Sequence, residues 1–282
     1  LKVLQGLERW ADFEAELMDM IAHEEISTDL CREGIALALE NGQHAIAKRA
    51  FTGLNTQHPS RIALVGWFLT VLLAGKSANL PMALELLKDN DLLKCLTSNG
   101  DAGTNNPTGV QLSLLRDLLW NSATEQFQAK EFELSKQCFQ AASFFSRDNV
   151  SQTAKTARMV GLSCMGLKDF AGATDNFKRA NELQPNTAKN VFLLFKAYLS
   201  LGHMSEAEAA LEALMRCVDF EEAFLTLASL EASSVPAAAC VQKVSLVLLY
   251  ELYSKSDLLT QPKQATVLRT LILADKKLGG TE

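Results

Sequence analysis

Four basic side chains and one aromatic ring are the residues of this sequence best suited to binding chemistry. Lys155, Arg158, Lys189, Phe192 and Lys196 lie in two short segments. Ammonium and guanidinium groups bind carboxylates through charge-assisted hydrogen bonds. If the fold brings the two segments together, this cluster can accept an acidic or carboxylate-bearing segment of another protein. The alternative is an ordinary solvated helix face on which basic residues occur by chance.

Asn121 is a further candidate for partner binding. Its side-chain amide can both donate and accept hydrogen bonds, so it is able to hold the backbone of a bound peptide. The same amide is equally able to tie adjacent helices of the chain together. The neighbouring Trp120 is expected to pack in the core between helices.

The sequence contains no constellation typical of catalysis or of metal binding. Gly75-Lys76-Ser77 resembles the end of a phosphate-binding loop, but that loop needs a glycine where Thr70 stands, and a helix is expected before it instead of a strand. The six cysteines form no C-x-x-C pair and have no histidine at ligand spacing, which indicates buried, reduced thiols of an intracellular protein. We therefore expect neither enzymatic activity nor a metal or cofactor.

Composition narrows the class of partner. The net charge of −6 over 282 residues argues against non-specific binding of nucleic acid, because phosphate binding needs clustered Lys and Arg. No stretch reaches the roughly 18 apolar residues that a membrane span requires, and no signal peptide is recognisable. We expect other proteins as partners, without direct nucleic-acid, membrane or small-molecule binding. Because the chain begins at Leu1, we also expect a piece of a longer protein.

An internal repeat of about 34 residues predicts the elements that position these side chains. In one copy Gly161 lies in a first helix, and a second helix follows with the tetratricopeptide spacing of Ala173, Phe177, Ala180 and the closing Pro185. Small residues let the two helices of a hairpin approach closely, and the aromatic residue fills the groove between successive hairpins.

The same pattern occurs twice more. The other copies consist of Val191, Leu194, Tyr198, Gly202, Ala207 and Leu211, and of Gly42, Ala47, Phe51, Leu54 and Pro59. Apolar residues recur at intervals of three and four, without strict alternation. The sequence therefore predicts an all-α fold, a tetratricopeptide-like right-handed superhelical solenoid of antiparallel helix pairs.

A polar break interrupts the predicted solenoid. Residues Thr97 to Gly109 include almost no apolar side chain and are dense in turn residues, which predicts an exposed loop or a partly disordered insertion. We predict N-terminal helical repeats over 1–96, the loop over 97–111, tetratricopeptide-type repeats over 112–219 and C-terminal helical repeats over 220–282. The helices expected in the last region are Glu221–Ala232, Pro236–Lys255 and Lys263–Lys277.

Several runs of residues between 112 and 225 carry a family resemblance. The runs are Leu118-Leu119-Trp120-Asn121-Ser122-Ala123, Phe144-Phe145-Ser146, Val191 to Lys196 and Met215-Arg216-Cys217-Val218. Together they resemble the meiotic tetratricopeptide proteins of the Spo-twenty-two and Zip-four type, called Tex-eleven in mammals. Phe139 and Phe144 stand where that family commonly has tyrosine.

The resemblance implies a helical scaffold for meiotic crossover formation. Such a scaffold would lie in the nucleus on chromosomes and bridge recombination factors to the chromosome axis during synapsis. The family supplies no catalytic residue to carry over. Two other functions stay open, a cochaperone-type module that clamps carboxylates and a non-catalytic helical-repeat subunit of an enzyme complex. Phe192 and Leu193 speak against the clamp, because they stand where a clamp asparagine is expected.

Overall fold

The computed structural model describes residues 1–23, 25–57, 61–75, 79–88, 109–146 and 149–255, together with 266, 269 and 270. Every regular element in these ranges is a helix, so the predicted all-α class is confirmed. Residues 97–108 of the predicted loop lie outside the described residues, as does most of the predicted helix Lys263–Lys277. The last three residues of that predicted loop, 109–111, belong instead to the helix Gly109–Gln128, so the helix begins earlier than predicted.

The chain forms two compact units. The first comprises Leu1–Ala129 and Gln137–Ser146, and the second comprises Lys130–Lys136 and Arg147–Glu282. The helices of the first are α1 Lys2–Gly6, α2 Trp10–Ala22, α3 Thr28–Glu40, α4 His44–Gln57, α5 Arg61–Ala74, α6 Leu80–Leu86 and α7 Gly109–Gln128. Helix α8, Phe132–Phe144, contributes residues to both units. The second unit contains α9 Val150–Gly166, α10 Phe170–Leu183, α11 Ala188–Leu201, α12 Met204–Leu214, α13 Glu222–Ser233, a 3₁₀ turn Pro236–Ala238 and α14 Ala239–Lys255.

In the first unit, aromatic stacking joins successive helix pairs as the repeat predicts. The rings of Phe51 on α4 and Phe68 on α5 stack with centroids 4.0 Å apart, and both are buried. Ala47, one turn before Phe51, has no exposed surface and allows the neighbouring helix to approach closely. At the surface, Arg49 on α4 donates two hydrogen bonds to the carboxylate of Glu14 on α2.

Two glycines make the predicted turns. Gly42 between α3 and α4 has a φ of 74°, and Gly202 after α11 has a φ of 77°. Side chains disfavour this left-handed region, whereas glycine adopts it without steric cost. The turns that the sequence predicts at these two positions are therefore confirmed.

In the second unit, side-chain caps fix where the helices begin. Asn149 accepts a hydrogen bond from the backbone N–H of Gln152 at the start of α9, with a distance of 3.0 Å. Asp219 accepts one of 2.6 Å from the N–H of Ala188, the first residue of α11. Such caps satisfy backbone donors that a helix leaves unpaired at its N-terminus. The second of them links the start of α11 to the turn that precedes α13.

Helices α9 and α10 pack most closely where a phenylalanine lies on a glycine. The ring of Phe177 is fully buried, and a Cβ built on Gly161 would overlap its edge. The ring of Phe132 lies in the same way on Gly166, where a Cβ would come within 2.6 Å of the ring. Phe177 therefore packs against the first helix of its own hairpin, a contact that the sequence analysis did not predict.

Replacing Gly161 with Ala tests this contact. The added methyl group overlaps the Phe177 ring, so we expect the free energy of unfolding to fall by about 1–3 kcal/mol. Gly53→Ala is the matched control, because its Cβ would meet the Met18 Cε atom at 3.4 Å, which is ordinary contact. That substitution in α4 should leave stability unchanged or raise it by about 0.5–1 kcal/mol. Chemical denaturation of both variants measures the difference, and equal effects would contradict the packing.

Candidate functional site

The four basic side chains predicted for partner binding differ in their surroundings. Lys155 on α9 and Lys189 on α11 are exposed. Arg158 and Lys196 are partly buried, and each is bound by other side chains of the second unit. The positive charge that these helices offer to a partner is therefore smaller than the sequence suggests.

Arg158 belongs to a hydrogen-bond network that joins three helices. Its Nη1 donates to Oδ1 of Asn190 at 2.9 Å and to Oε1 of Gln184 at 3.1 Å. Asn190 is fully buried, and its Nδ2 donates to the carbonyl oxygens of Ala180 at 3.1 Å and Gln184 at 2.8 Å. Partial burial lowers the pKa of the Arg158 guanidinium from its ordinary value. The network connects α9, the end of α10 and the start of α11.

Asn190→Ala tests the network. The substitution removes one partner each from the carbonyl oxygens of Ala180 and Gln184 and from the Arg158 guanidinium, and it leaves a cavity at a fully buried position. We therefore expect the free energy of unfolding to fall by about 2–4 kcal/mol. Asn41→Ala is the control, because the exposed Asn41 amide also bonds a helix carbonyl, that of Leu37 at 2.7 Å. Its loss should change stability by less than about 0.5 kcal/mol. Similar losses in thermal denaturation of the two variants would refute the structural role of Asn190.

Lys196 and Phe192 join α11 to α13. The Nζ of Lys196 lies 2.6 Å from Oε1 of Glu231, and the two side chains are 33% and 39% exposed. The ring of Phe192 lies 5.5 Å from that of Phe224, between centroids. Both candidate residues thus contact α13, and each keeps part of its surface open to solvent. Their partner-binding role stays a prediction.

Helix α13 exposes an apolar stripe that the sequence analysis missed. Leu227 is 47% exposed and Leu230 is 62% exposed. The helical turn places both on the same side as the exposed Ala223, opposite the buried Leu225 and Ala228. The three-residue spacing of Leu227 and Leu230 is visible in the sequence. The repeat pattern becomes irregular after Asp219, however, so the sequence gave no register from which to predict that these leucines are exposed.

We use the name α11–α13 face for the surface formed by Lys189, Phe192, Lys196, Leu227 and Leu230. An exposed apolar stripe rimmed by polar residues is typical of a protein-interaction site. Lys189 makes no ion pair with any residue that the structure describes. The face therefore combines exposed leucines with one available cation.

Asn121 lies in the other unit, on α7. It is exposed and lines a cleft of 290 Å³ between the end of α5 and α7. Its amide forms no hydrogen bond with another described residue, so the structure gives no support to a role in tying helices together. Trp120 is half-buried, with its ring 4.9 Å from that of Phe139 in an edge-to-face arrangement.

Two further motifs of the sequence, Gly75-Lys76-Ser77 and the cysteines, can be compared with the described residues. Gly75 directly follows helix α5, which is not the strand that a phosphate-binding loop requires. Burial raises the pKa of the Cys138 thiol to about 12 and also raises the pKa of Cys31, Cys164 and Cys217. In the described part of the chain, no three His, Cys, Asp or Glu residues are placed to hold a metal ion. None of the described helices has both the length and the apolar character needed to cross a bilayer.

Comparison with known proteins identifies a tetratricopeptide repeat in the second unit. Residues 165–230 match the tetratricopeptide repeat family model, and this range includes the whole α11–α13 face. Repeats of this kind present extended surfaces to other proteins, which suggests an interaction scaffold.

Two solved structures are similar to the chain at low scores. One is the pilF protein of Pseudomonas aeruginosa, with 16% identity, a TM-score of 0.36, and coverage of 86% of this chain and 95% of that chain. The other is the C-terminal part of a TPR repeat-containing protein from Cytophaga hutchinsonii, with 12% identity, a TM-score of 0.37, and coverage of 100% and 98%. A likeness at this level carries no information on function.

Proposed function

We propose that this chain is a non-catalytic protein-binding scaffold of meiotic crossover formation that holds a partner on the α11–α13 face. The observation that carries the binding role is the pair of exposed leucines, Leu227 and Leu230, inside the matched repeat. The meiotic role is supported by the family resemblance around Trp120 and Asn121. In that role the protein lies on chromosomes in the nucleus and bridges recombination factors to the chromosome axis, without touching nucleic acid itself.

The face suits an amphipathic partner segment with an acidic end. Apolar side chains of the segment would cover Leu227, Leu230 and the exposed part of Phe192, and each leucine would contribute about 1–2 kcal/mol. A carboxylate of the segment would approach Lys189, whose ammonium group is available. Lys196 is already paired with Glu231, so it contributes mainly its aliphatic stem.

The cochaperone function is the weaker candidate because a carboxylate clamp needs several unpaired cations and amides on consecutive first helices. Here Arg158 is bonded to Asn190 and Gln184, and Lys196 is bonded to Glu231. A non-catalytic subunit of an enzyme complex would use the same face, and only the identity of its partner distinguishes it from a meiotic scaffold.

Binding assays with three classes of partner separate these functions. The purified chain is mixed with recombination and axis proteins, with chaperone C-terminal tails, or with catalytic subunits of helical-repeat complexes. We expect retention of a recombination or axis protein. Retention of the chaperone tails alone, or of a catalytic subunit alone, would contradict the meiotic proposal.

The double variant Leu227→Ser, Leu230→Ser tests the face itself. Loss of two apolar contacts should weaken partner binding at least tenfold, because every 1.4 kcal/mol corresponds to a factor of about ten. The control is Leu30→Ser, Leu114→Ser, since these leucines of the first unit are 50% and 46% exposed. Calorimetric titration of both variants measures the affinities.

Equal affinity of the two double variants would place the partner elsewhere on the chain.

The acidic end of the partner is tested separately by Lys189→Glu, with the exposed Lys2→Glu as its control. We expect Lys189→Glu to weaken binding and to reduce its salt dependence, because the charge approached by the partner is reversed.

A further inference from the structure

The cleft beside Asn121 in the first unit has an apolar floor and a polar wall. Its apolar lining includes the half-buried Leu118 and the buried Leu72 and Leu80. The polar wall comes from one helix, α7, where the positions four residues apart on the same side are Asn121, Ser122, Glu125 and Gln126. Its volume of 290 Å³ is at the lower end of the range of about 300–1,000 Å³ for ligand pockets, so it suits a single long side chain.

The polar groups of this wall have no partners in the described part of the chain. The side chains of Asn121, Ser122, Glu125 and Gln126 form no hydrogen bond or ion pair with any described residue. Polar groups that converge on a cleft without being used by the fold are available to a ligand. In the second unit, by contrast, the side chain of Asn190 makes three hydrogen bonds within the fold.

The electrostatics of the cleft select a cation. Among the described residues that line it, Glu125 is the only ionisable one, and none of these residues is a lysine or an arginine. The last residues of α5, Leu73 and Ala74, also line the cleft. A helix C-terminus has a partial negative charge, because its carbonyl groups point outward. The Glu125 carboxylate and the C-terminal end of α5 therefore both attract a positively charged group to the cleft.

We propose that this cleft binds a lysine or arginine side chain of a partner protein. The methylene groups lie mainly on Leu118, as long basic side chains commonly cover apolar surface. The charged end pairs with Glu125 and donates hydrogen bonds to the amide oxygens of Asn121 and Gln126. This site belongs to the first unit and does not rest on the α11–α13 face, so either can fail while the other stands.

Short peptides that differ in one side chain test the chemistry. The probes are Gly-Lys-Gly and Gly-Arg-Gly amides, with the norleucine peptide as an uncharged analogue and Gly-Glu-Gly amide as the opposite charge. We expect saturable NMR shifts of the Asn121 and Gln126 side-chain amide signals with the lysine or the arginine peptide. Shifts of equal size with norleucine, or no saturable shift with either basic peptide, would overturn the proposal.

Glu125→Gln tests the contribution of the carboxylate without changing the shape of the cleft. The affinity for the basic peptides should fall about five- to tenfold, as expected for a lost charge-assisted hydrogen bond. Glu16→Gln is the matched control, since Glu16 is an exposed carboxylate on α2 outside the cleft. Unchanged affinity of Glu125→Gln, or an equal loss in Glu16→Gln, would show that the cleft does not recognise the cation.

Discussion

The contact of the Phe177 ring with the backbone of Gly161 determines how closely α9 and α10 approach each other. Because glycine has no side chain, the ring lies directly on α9 and is fully buried. Phe132 uses Gly166 in the same way. The end of α10 lies within hydrogen-bonding distance of Asn190 on α11, so we expect the position of α11 to depend on the spacing of α9 and α10. The packing of the Phe177 ring on Gly161 is therefore the contact on which we expect the arrangement of α9, α10 and α11 to depend.

The position of α11 in turn decides which groups of the second unit stay available. Arg158 is drawn into the network around Asn190, and Lys196 is drawn to Glu231 on α13. Both cations stabilise contacts between helices, and so they offer less to a partner. The exposed side of α13 with Leu227 and Leu230, and the side chain of Lys189 on α11, stay open to solvent. The residues that looked like a basic cluster in the sequence are partly paired within the fold, and the exposed surface of the α11–α13 face is mainly apolar. A mainly apolar surface is expected of a site that binds an amphipathic segment.

The helix pairs could be predicted from sequence because their determinants are local. Gly42 and Gly202 specify turns, and Ala47 and Phe51 have helical spacing, so short windows contain the information. The contacts of the basic side chains could not be predicted, since the partners of Arg158 and Lys196 lie 26 to 35 residues away along the chain. Which side chains meet across such separations depends on the packing of whole helices, and a single sequence does not specify that packing locally.

Site-specific crosslinking tests most directly whether a partner lies on the α11–α13 face. A photo-reactive amino acid is placed at Thr226, which is exposed on α13, and in a second protein at Glu16, which is exposed on α2. The purified recombination or axis protein that the chain retains is then added and irradiated. The account predicts a covalent product from position 226 and none from position 16. A product from position 16 alone would contradict it.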